Sequence, residues 1–374
     1  MKYLWQKKSW PDFHWNSEEL LKPLGDLRFK QGGVLSQMEE LGFEIQENAR
    51  ADILVEEALK TSAIEGEVLN PEAVRSSVCR KLGISDGGLV EIRDQKADGL
   101  VEILLDATMN YDMELTPDRL WGWHAALFPT GYSGFFKISV GGFRLDNNGP
   151  MQVVSGPVGK EKIHYVAPPA KKLEKEMESF LLWLNSENEM DGIMKAAVAH
   201  LWFISIHPFD DGNGRIARTL TDMLLAKDEK NQKRYYSLSS QIMTQRNDYY
   251  NILEQTQSGD GDLTDWLKWF FNCMNEAIKN SNNLLKKILV KARFWKEFST
   301  AQINERQIKV INKLLDAGKD GFEGGLKNKK YVGIAHTSRA TAQRELSDLV
   351  KKSIFIKHSS GRSTNYDIDW ERWE

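Results

Sequence analysis

Two apolar helical stretches, Ile193 to Ile206 and Ile216 to Ala226, are joined by a polar run: His207-Pro208-Phe209-Asp210-Asp211-Gly212-Asn213-Gly214-Arg215-Ile216-Ala217-Arg218. Gly212 and Gly214 let the backbone turn with its N–H groups facing one point, and the helix that follows adds the positive end of its dipole there. An anion is expected at that point. Arg215 and Arg218 stand three apart on the first turn, so both reach one side and offer planar forks to phosphate oxygens. Asp211 can hold a divalent ion that bridges phosphates, and Asn213 can orient a phosphate oxygen through its amide. His207, fixed by Pro208 at a helix end, has an ordinary pKa of about 6.5 and can take a proton from an attacking hydroxyl at neutral pH. A plain solvated loop with a core histidine would leave the paired arginines unexplained.

The run matches the Fic motif, HxFx(D/E)GNGRxxR, at every specified position, and the chain resembles the Fic (Fido) family. The resemblance implies a mainly α fold: a Fic-type helical bundle with a β-hairpin flap, flanked by an N-terminal helical domain and a C-terminal winged helix domain. It also implies a protein adenylyltransferase, which moves AMP from ATP to a Tyr, Thr or Ser hydroxyl of a target protein with Mg2+ and releases pyrophosphate. On this chain His207 would be the general base and Asp211 the metal ligand. Gly212, Asn213, Gly214 and Arg215 would form the anion cradle, and Arg218 would bind the γ-phosphate. Catalysis would then be largely positioning and charge stabilisation of an in-line displacement.

The likeness extends over about 115–277. Leu120-Trp121, His124, Leu127-Phe128 and Gly142-Phe143-Arg144 look like the opening of such a domain. Lys162 to Pro169 looks like its flap, where Lys162, Ile163, His164 and Tyr165 would align a segment of the target protein by strand addition. Tyr249-Tyr250 match a tyrosine pair that lines the nucleotide pocket, and Gln257 stands where the family often has Asn. His124 and His200 sit on apolar helical faces and are expected to be core histidines.

Upstream, Thr61-Ser62-Ala63-Ile64-Glu65-Gly66 would by itself be an exposed helix end, with Glu65 opposing the helix dipole. Beside the Fic loop it matches the family's inhibitory helix, (S/T)xxxE(G/N), of the subclass that carries the inhibitor at its N-terminal side. Thr61, Glu65 and Gly66 are the matching residues. Glu65 would pair with Arg218 and occupy the γ-phosphate position. A charge-assisted pair of this kind contributes roughly 1.5–3 kcal/mol, enough to lower activity by about one or two decades. Self-modification is expected to rise when Glu65 is lost. Two other functions fit the resemblance: removal of AMP, or another Fic nucleotidyl or phosphoryl transfer, and an ATP-sensing DNA-binding regulator.

The chain has 374 residues, enough for two to three domains. Composition marks three stretches: a helical 1–110, holding the inhibitory helix at about 45–66; a catalytic 111–298; and a distinct 299–374. The first resembles the N-terminal domain that often precedes Fic domains in bacterial proteins. Its opening 33 residues, with Trp10-Pro11 and Gly32-Gly33 as breakers, are expected to form a short cap. Residues 34–66 are expected to form one long helix or two in series. Residues 301–374 carry 14 Lys and Arg against 10 Asp and Glu, whereas the whole chain is at −3. Their pattern predicts three helices and a hairpin, the order of a winged helix-turn-helix. Ser338, Arg339, Thr341, Arg344 and Arg362 are its candidate DNA contacts, with protein docking or dimerisation as the alternative. A homodimer is a further expectation.

Cys79 and Cys273 lack any ligand spacing, so neither a disulfide framework nor a structural zinc site is indicated. No apolar run approaches the ~20 residues of a membrane span. The start, MKYLWQKKSW, has charges where an export signal needs its apolar core. A cytoplasmic protein without a membrane partner is expected.

Overall fold

The computed structural model describes residues 2–84, 92–147, 149–157, 159–187, 189–319, 322, 324–358 and 364–373, apart from the side chains of residues 44, 283 and 284. The fold is mainly helical, with three short two-stranded sheets among the described residues. The chain forms two compact units, Met1–Ser281 and Asn282–Glu374.

At the centre of the first unit runs α7 (Gly192–Ile206), whose residues from Ile193 onward are all buried except Lys195. A helix apolar on every side belongs in a core. Asp191 caps it, its carboxylate accepting from Ile193 N at 2.9 Å. Against α7 pack α8 (Asn213–Glu229) and α6 (Leu173–Asn185), and α4 (Gln95–Met109) lies on α8. Next to α4 is α5 (Pro117–Leu127), which opens with the capping Thr116 and with Pro117 in its first turn, as expected. Gly99 is the point of closest approach between these two helices, since a Cβ there would lie 1.9 Å from the carbonyl oxygen of Ala126.

The N-terminal stretch differs from its expectation. Gly32 and Gly33 do not break the chain; they lie inside α1 (Ser17–Glu39), which also contains Pro23. Asn16 caps this helix through Glu18 N, and Leu20, Leu27, Val34 and Met38 bury one face. Each such side chain contributes roughly 1.5–3 kcal/mol on burial, which outweighs a cost of about 1 kcal/mol per helical glycine. Arg28 ties α1 to the rest through Asp191 at 2.8 Å and Asp228 at 2.9 Å.

After a turn comes α2 (Phe43–Ile64), so the stretch 34–66 holds the end of one helix and the whole of another. α2 packs on α3 (Pro71–Leu82), α4, α8 and α9 (Leu238–Thr244). Its Glu57 caps α9, accepting from Ser237 Oγ at 2.7 Å and Ser239 N at 3.1 Å. The segment carrying Glu65 is thereby built into the same core as α8.

β1 (Tyr132–Ser133) pairs with β2 (Phe136–Lys137), and β3 (Gln152–Ser155) pairs antiparallel with β4 (Lys162–Val166) as the expected flap hairpin. α10 (Arg246–Gln257) follows α9, and α11 (Thr264–Glu297) runs on past residue 281. No helix among the described residues is long and apolar enough to cross a membrane.

The second unit has its own core, with Val310, Ile311, Leu314, Tyr331, Ala342, Leu346, Leu349 and Tyr366 among its buried residues. It holds α12 (Glu305–Ala317), α13 (Asn328–Ala335), α14 (Arg339–Lys351) and the hairpin of β5 (Ile356–His358) and β6 (Asn365–Asp367). This is the expected order of three helices and a hairpin. Leu326 adds an antiparallel bridge to Tyr366.

Candidate active site

His207 ends α7 in the left-handed region, at φ 53°, and its N–H closes the last turn on the Phe203 carbonyl at 3.0 Å. Its ring Nδ1 lies 3.1 Å from the Ile204 carbonyl. A carbonyl only accepts, so Nδ1 carries the proton and Nε2 keeps its lone pair. Burial pulls the His207 pKa down to about 4, partly offset by that carbonyl. The imidazole is therefore neutral, and able to act as a base, throughout the physiological range.

The turn beneath it is pinned by Arg144, which is 2% exposed. Its Nε donates to the His207 carbonyl at 2.7 Å, its Nη2 to the Pro168 carbonyl at 2.5 Å, and its Nη1 to Asp146 at 2.6 Å. Asn213 closes the loop from inside, accepting from Phe209 N at 3.0 Å and donating to Phe209 O at 2.8 Å. Its amide is thus committed to the loop backbone. Gly212 takes φ +79°, open to glycine, and starts α8 against Phe128.

At the first turn of α8, where the sequence leads one to expect an anion, a carboxylate of the same chain stands. A Cβ on Gly214 would lie 2.1 Å from Glu65 Oε1. Arg218 is 2% exposed and reaches the same carboxylate, Nη2 to Oε1, at 2.7 Å. Burial alone would lower the Arg218 pKa, but Glu65 and two tyrosines more than offset it, so the guanidinium stays charged. Its Nε donates to Thr61 Oγ1 at 2.7 Å and its Nη2 also to the Thr61 carbonyl at 2.9 Å. Gly66, at φ +81°, turns the chain away just after α2.

Three contacts here come from residues the sequence reading did not place in the site. Arg215 Nη1 pairs with Glu67 at 2.8 Å, and Glu67 in turn meets Lys96 at 2.6 Å. Arg246 Nε donates to the Ile64 carbonyl at 2.8 Å, beside Tyr250 OH at 3.3 Å. A basic group on the orphan carbonyls of a helix end offsets the unfavourable position of Glu65 there. On the two arginines of the motif, the buried Arg215 Nε and Arg218 Nη1 have no hydrogen-bond partner among the described residues. Open donors of this kind beside a glycine cradle fit a phosphate chain.

Asp211 is only partly covered. Its Oδ1 accepts from Gly212 N at 2.5 Å, its Oδ2 meets Ser133 Oγ, and Arg215 lies 3.8 Å away. No group of three His, Cys, Asp or Glu side chains that could hold a metal occurs among the described residues.

On the flap, Ile163 is exposed while Lys162 and His164 reach Glu254 of α10, at 3.7 Å and 2.6 Å. Tyr165 turns inward and donates to the Ser205 carbonyl at 2.7 Å, and Gln257 donates to Ser205 Oγ at 3.1 Å. Tyr249 is buried with its hydroxyl 2.8 Å from His200 Nε2, whose Nδ1 lies 2.9 Å from Thr221. His124 stacks on Phe209 at 4.3 Å. Both histidines are the core residues expected. In the second unit Ser338 caps α14 through Thr341 N at 3.2 Å, and Arg339 and Arg344 are exposed on that helix. Arg362 lies outside the described residues.

Family matches cover both the motif loop and the N-terminal helices. Residues 114–225 match the Fic/DOC family, and residues 3–84 match a domain of unknown function, DUF4172. A protein adenylyltransferase Fic of Drosophila ananassae is 25% identical over 62% of this chain and 42% of its own length. One from Nematostella vectensis is 32% identical over 30% of this chain and 25% of its own length. The chain therefore spans less than half the length of these curated relatives. A Fic family protein of Desulfovibrio desulfuricans G20 shares the fold at a TM-score of 0.54 and 18% identity, over 94% of this chain and 95% of that one. A Fic domain containing signaling protein of Bacteroides thetaiotaomicron VPI-5482 gives 0.51 at 20% identity, over 71% and 97%.

Proposed function

This chain carries a Fic/DOC family domain, and we propose that it is an autoinhibited protein adenylyltransferase that uses ATP to place AMP on a hydroxyl of a target protein or of itself. The observation that carries this reading is the Glu65 carboxylate seated between Gly214 and Arg218, beside two buried guanidinium N–H donors that have no hydrogen-bond partner among the described residues. An anion site is present, and an internal carboxylate takes the place of a substrate phosphate.

In the forward step a Tyr, Thr or Ser hydroxyl of the target attacks the α-phosphorus of ATP. His207 Nε2 takes the hydroxyl proton, the new O–P bond forms, and the bond to pyrophosphate breaks with its electron pair leaving on pyrophosphate. The N–H groups at the start of α8 and Arg215 hold phosphate charge, and Arg218 holds the γ-phosphate once Glu65 withdraws. Arg144 holds the His207 turn. Asp211 is the candidate ligand for Mg2+, an ion commonly held by one or two carboxylates plus substrate phosphates. Bound there, Mg2+ would neutralise charge on the leaving pyrophosphate. The exposed Lys162–Ile163 edge of β4 is the candidate docking strand for the target.

The test is incorporation of label from α- and γ-labelled ATP by wild type, Glu65→Gly and His207→Ala. The expected result is label from the α position only, strongest in Glu65→Gly and absent in His207→Ala. Label from γ would mean phosphoryl transfer. Loss of pre-attached AMP without incorporation would mean that Glu65 serves a hydrolytic water.

A second role has its own support. The unit Asn282–Glu374 carries 19 Lys and Arg against 11 Asp and Glu, a net +8, while residues 1–281 carry −11. Exposed Arg339, Gln343, Arg344 and Ser347 line one face of α14, and Gln343 reaches Tyr366 of the hairpin at 3.2 Å. This winged helix arrangement is a candidate reader of duplex DNA, with phosphate contacts that make affinity salt-dependent. Gel shift of random duplex by the full chain is expected at low salt and to weaken in Arg339→Ala/Arg344→Ala. No shift at low salt would leave the unit as a protein-docking module.

A further inference from the structure

We propose that Glu67 is a second positioning carboxylate of the nucleotide site, holding Arg215 as Glu65 holds Arg218, so that ATP must displace two carboxylates to bind. The inference rests on the nucleotide reading of the Arg215–Arg218 cradle. Gly66 carries φ +81° between the two glutamates, and this left-handed turn sends both toward the first turn of α8. The two pairs are closely similar in length, 2.8 Å for Arg215–Glu67 and 2.7 Å for Arg218–Glu65.

The Arg215 guanidinium is fixed from several sides. It lies 4.9 Å over the Phe128 ring, with Asp211 at 3.8 Å and Glu67 at 2.8 Å. Its Nη1 is taken by Glu67, while its buried Nε has no hydrogen-bond partner among the described residues. One end of the guanidinium fork, Nη1, is thus committed to Glu67 and cannot turn to a phosphate while that pair holds. Lys96, from the start of α4, holds the other oxygen of Glu67 at 2.6 Å and keeps the carboxylate in place. Glu67 touches no reacting atom in this account, and it acts through Arg215.

Glu67 is a quarter exposed, so water screens the pair and the expected effect is modest. Glu67→Gln should lower KM for ATP by about five- to tenfold with kcat within about twofold. Adding Glu67→Gln to Glu65→Gly should tighten ATP beyond Glu65→Gly alone. Equilibrium binding of a fluorescent ATP analogue gives the same comparison without turnover, and thermal melting checks that each variant is folded. A merely structural Glu67 would lower the melting temperature without tightening ATP. The proposal is overturned if Glu67→Gln leaves ATP affinity unchanged in both backgrounds while Glu65→Gly tightens it, and the adenylyltransferase reading then stands. If neither glutamate variant tightens ATP, the reading of the cradle fails and this inference fails with it.

Discussion

At the scale of single residues the chemistry of the site divides by how far apart in sequence its parts lie. Arg144 is the clearest positioning residue, and it reaches the His207 carbonyl across 63 positions. Lysine at 144 has no planar fork to serve the His207 and Pro168 carbonyls together. Arg144→Lys should lower kcat about ten- to a hundredfold and leave ATP affinity within about twofold, as steady-state kinetics beside equilibrium binding would reveal; an unchanged kcat would remove its role. His207, Asp211, Gly212, Gly214, Arg215 and Arg218 were legible because they share one loop and helix turn, where spacing alone dictates which groups converge. Arg246 and Glu67 were not. They meet Ile64 and Arg215 across 182 and 148 positions, and no local period in the chain links them. Asn213 shows another limit: its residue type suits a phosphate contact, but its amide is matched to the Phe209 backbone.

At the scale of elements the decisive contact is α2 on α8. Thr61 is wholly buried and supplies both a hydroxyl and a carbonyl to Arg218. Thr61→Val keeps the shape and removes the hydroxyl acceptor, leaving a buried guanidinium N–H unsatisfied at a cost of about 1–3 kcal/mol. Urea unfolding should show that loss, and a cost below about 0.3 kcal/mol would mean that Arg218 re-pairs elsewhere. α5 to α8 and the three helices of the second unit were readable from periodicity and caps, whereas the hairpin β3–β4 was readable from its glycine-rich surroundings and the resemblance to a family flap. α1 was not, because Pro23 and Gly32-Gly33 are breakers by propensity alone. Burial of Leu20, Leu27, Val34 and Met38 overrides that propensity, which is a tertiary effect.

At the scale of the whole molecule, composition marks segments along the chain, whereas compact units follow from which helices share a core. α2 and α4 pack on α8, so the Glu65 segment and the motif loop belong to one unit, Met1–Ser281. That unit also buries histidines in neutral form. Burial lowers the His200 pKa to about 3 and the His124 pKa to about 4, against about 6.5 when unfolded. Below about pH 6.5 the unfolded chain therefore binds more protons, and the stability these residues confer at neutral pH is lost as pH falls toward 4. Between pH 7 and pH 5 the loss of unfolding free energy should be about 2 kcal/mol smaller in His200→Gln than in wild type, and equal losses would contradict a buried neutral His200. In the proposed function, Glu65 stands where ATP must place a phosphate. The most direct test is the dissociation constant of ATP for wild type and Glu65→Gly by calorimetry. Binding by Glu65→Gly is expected to be about ten- to a hundredfold tighter, and equal affinities would overturn the autoinhibitory role of Glu65.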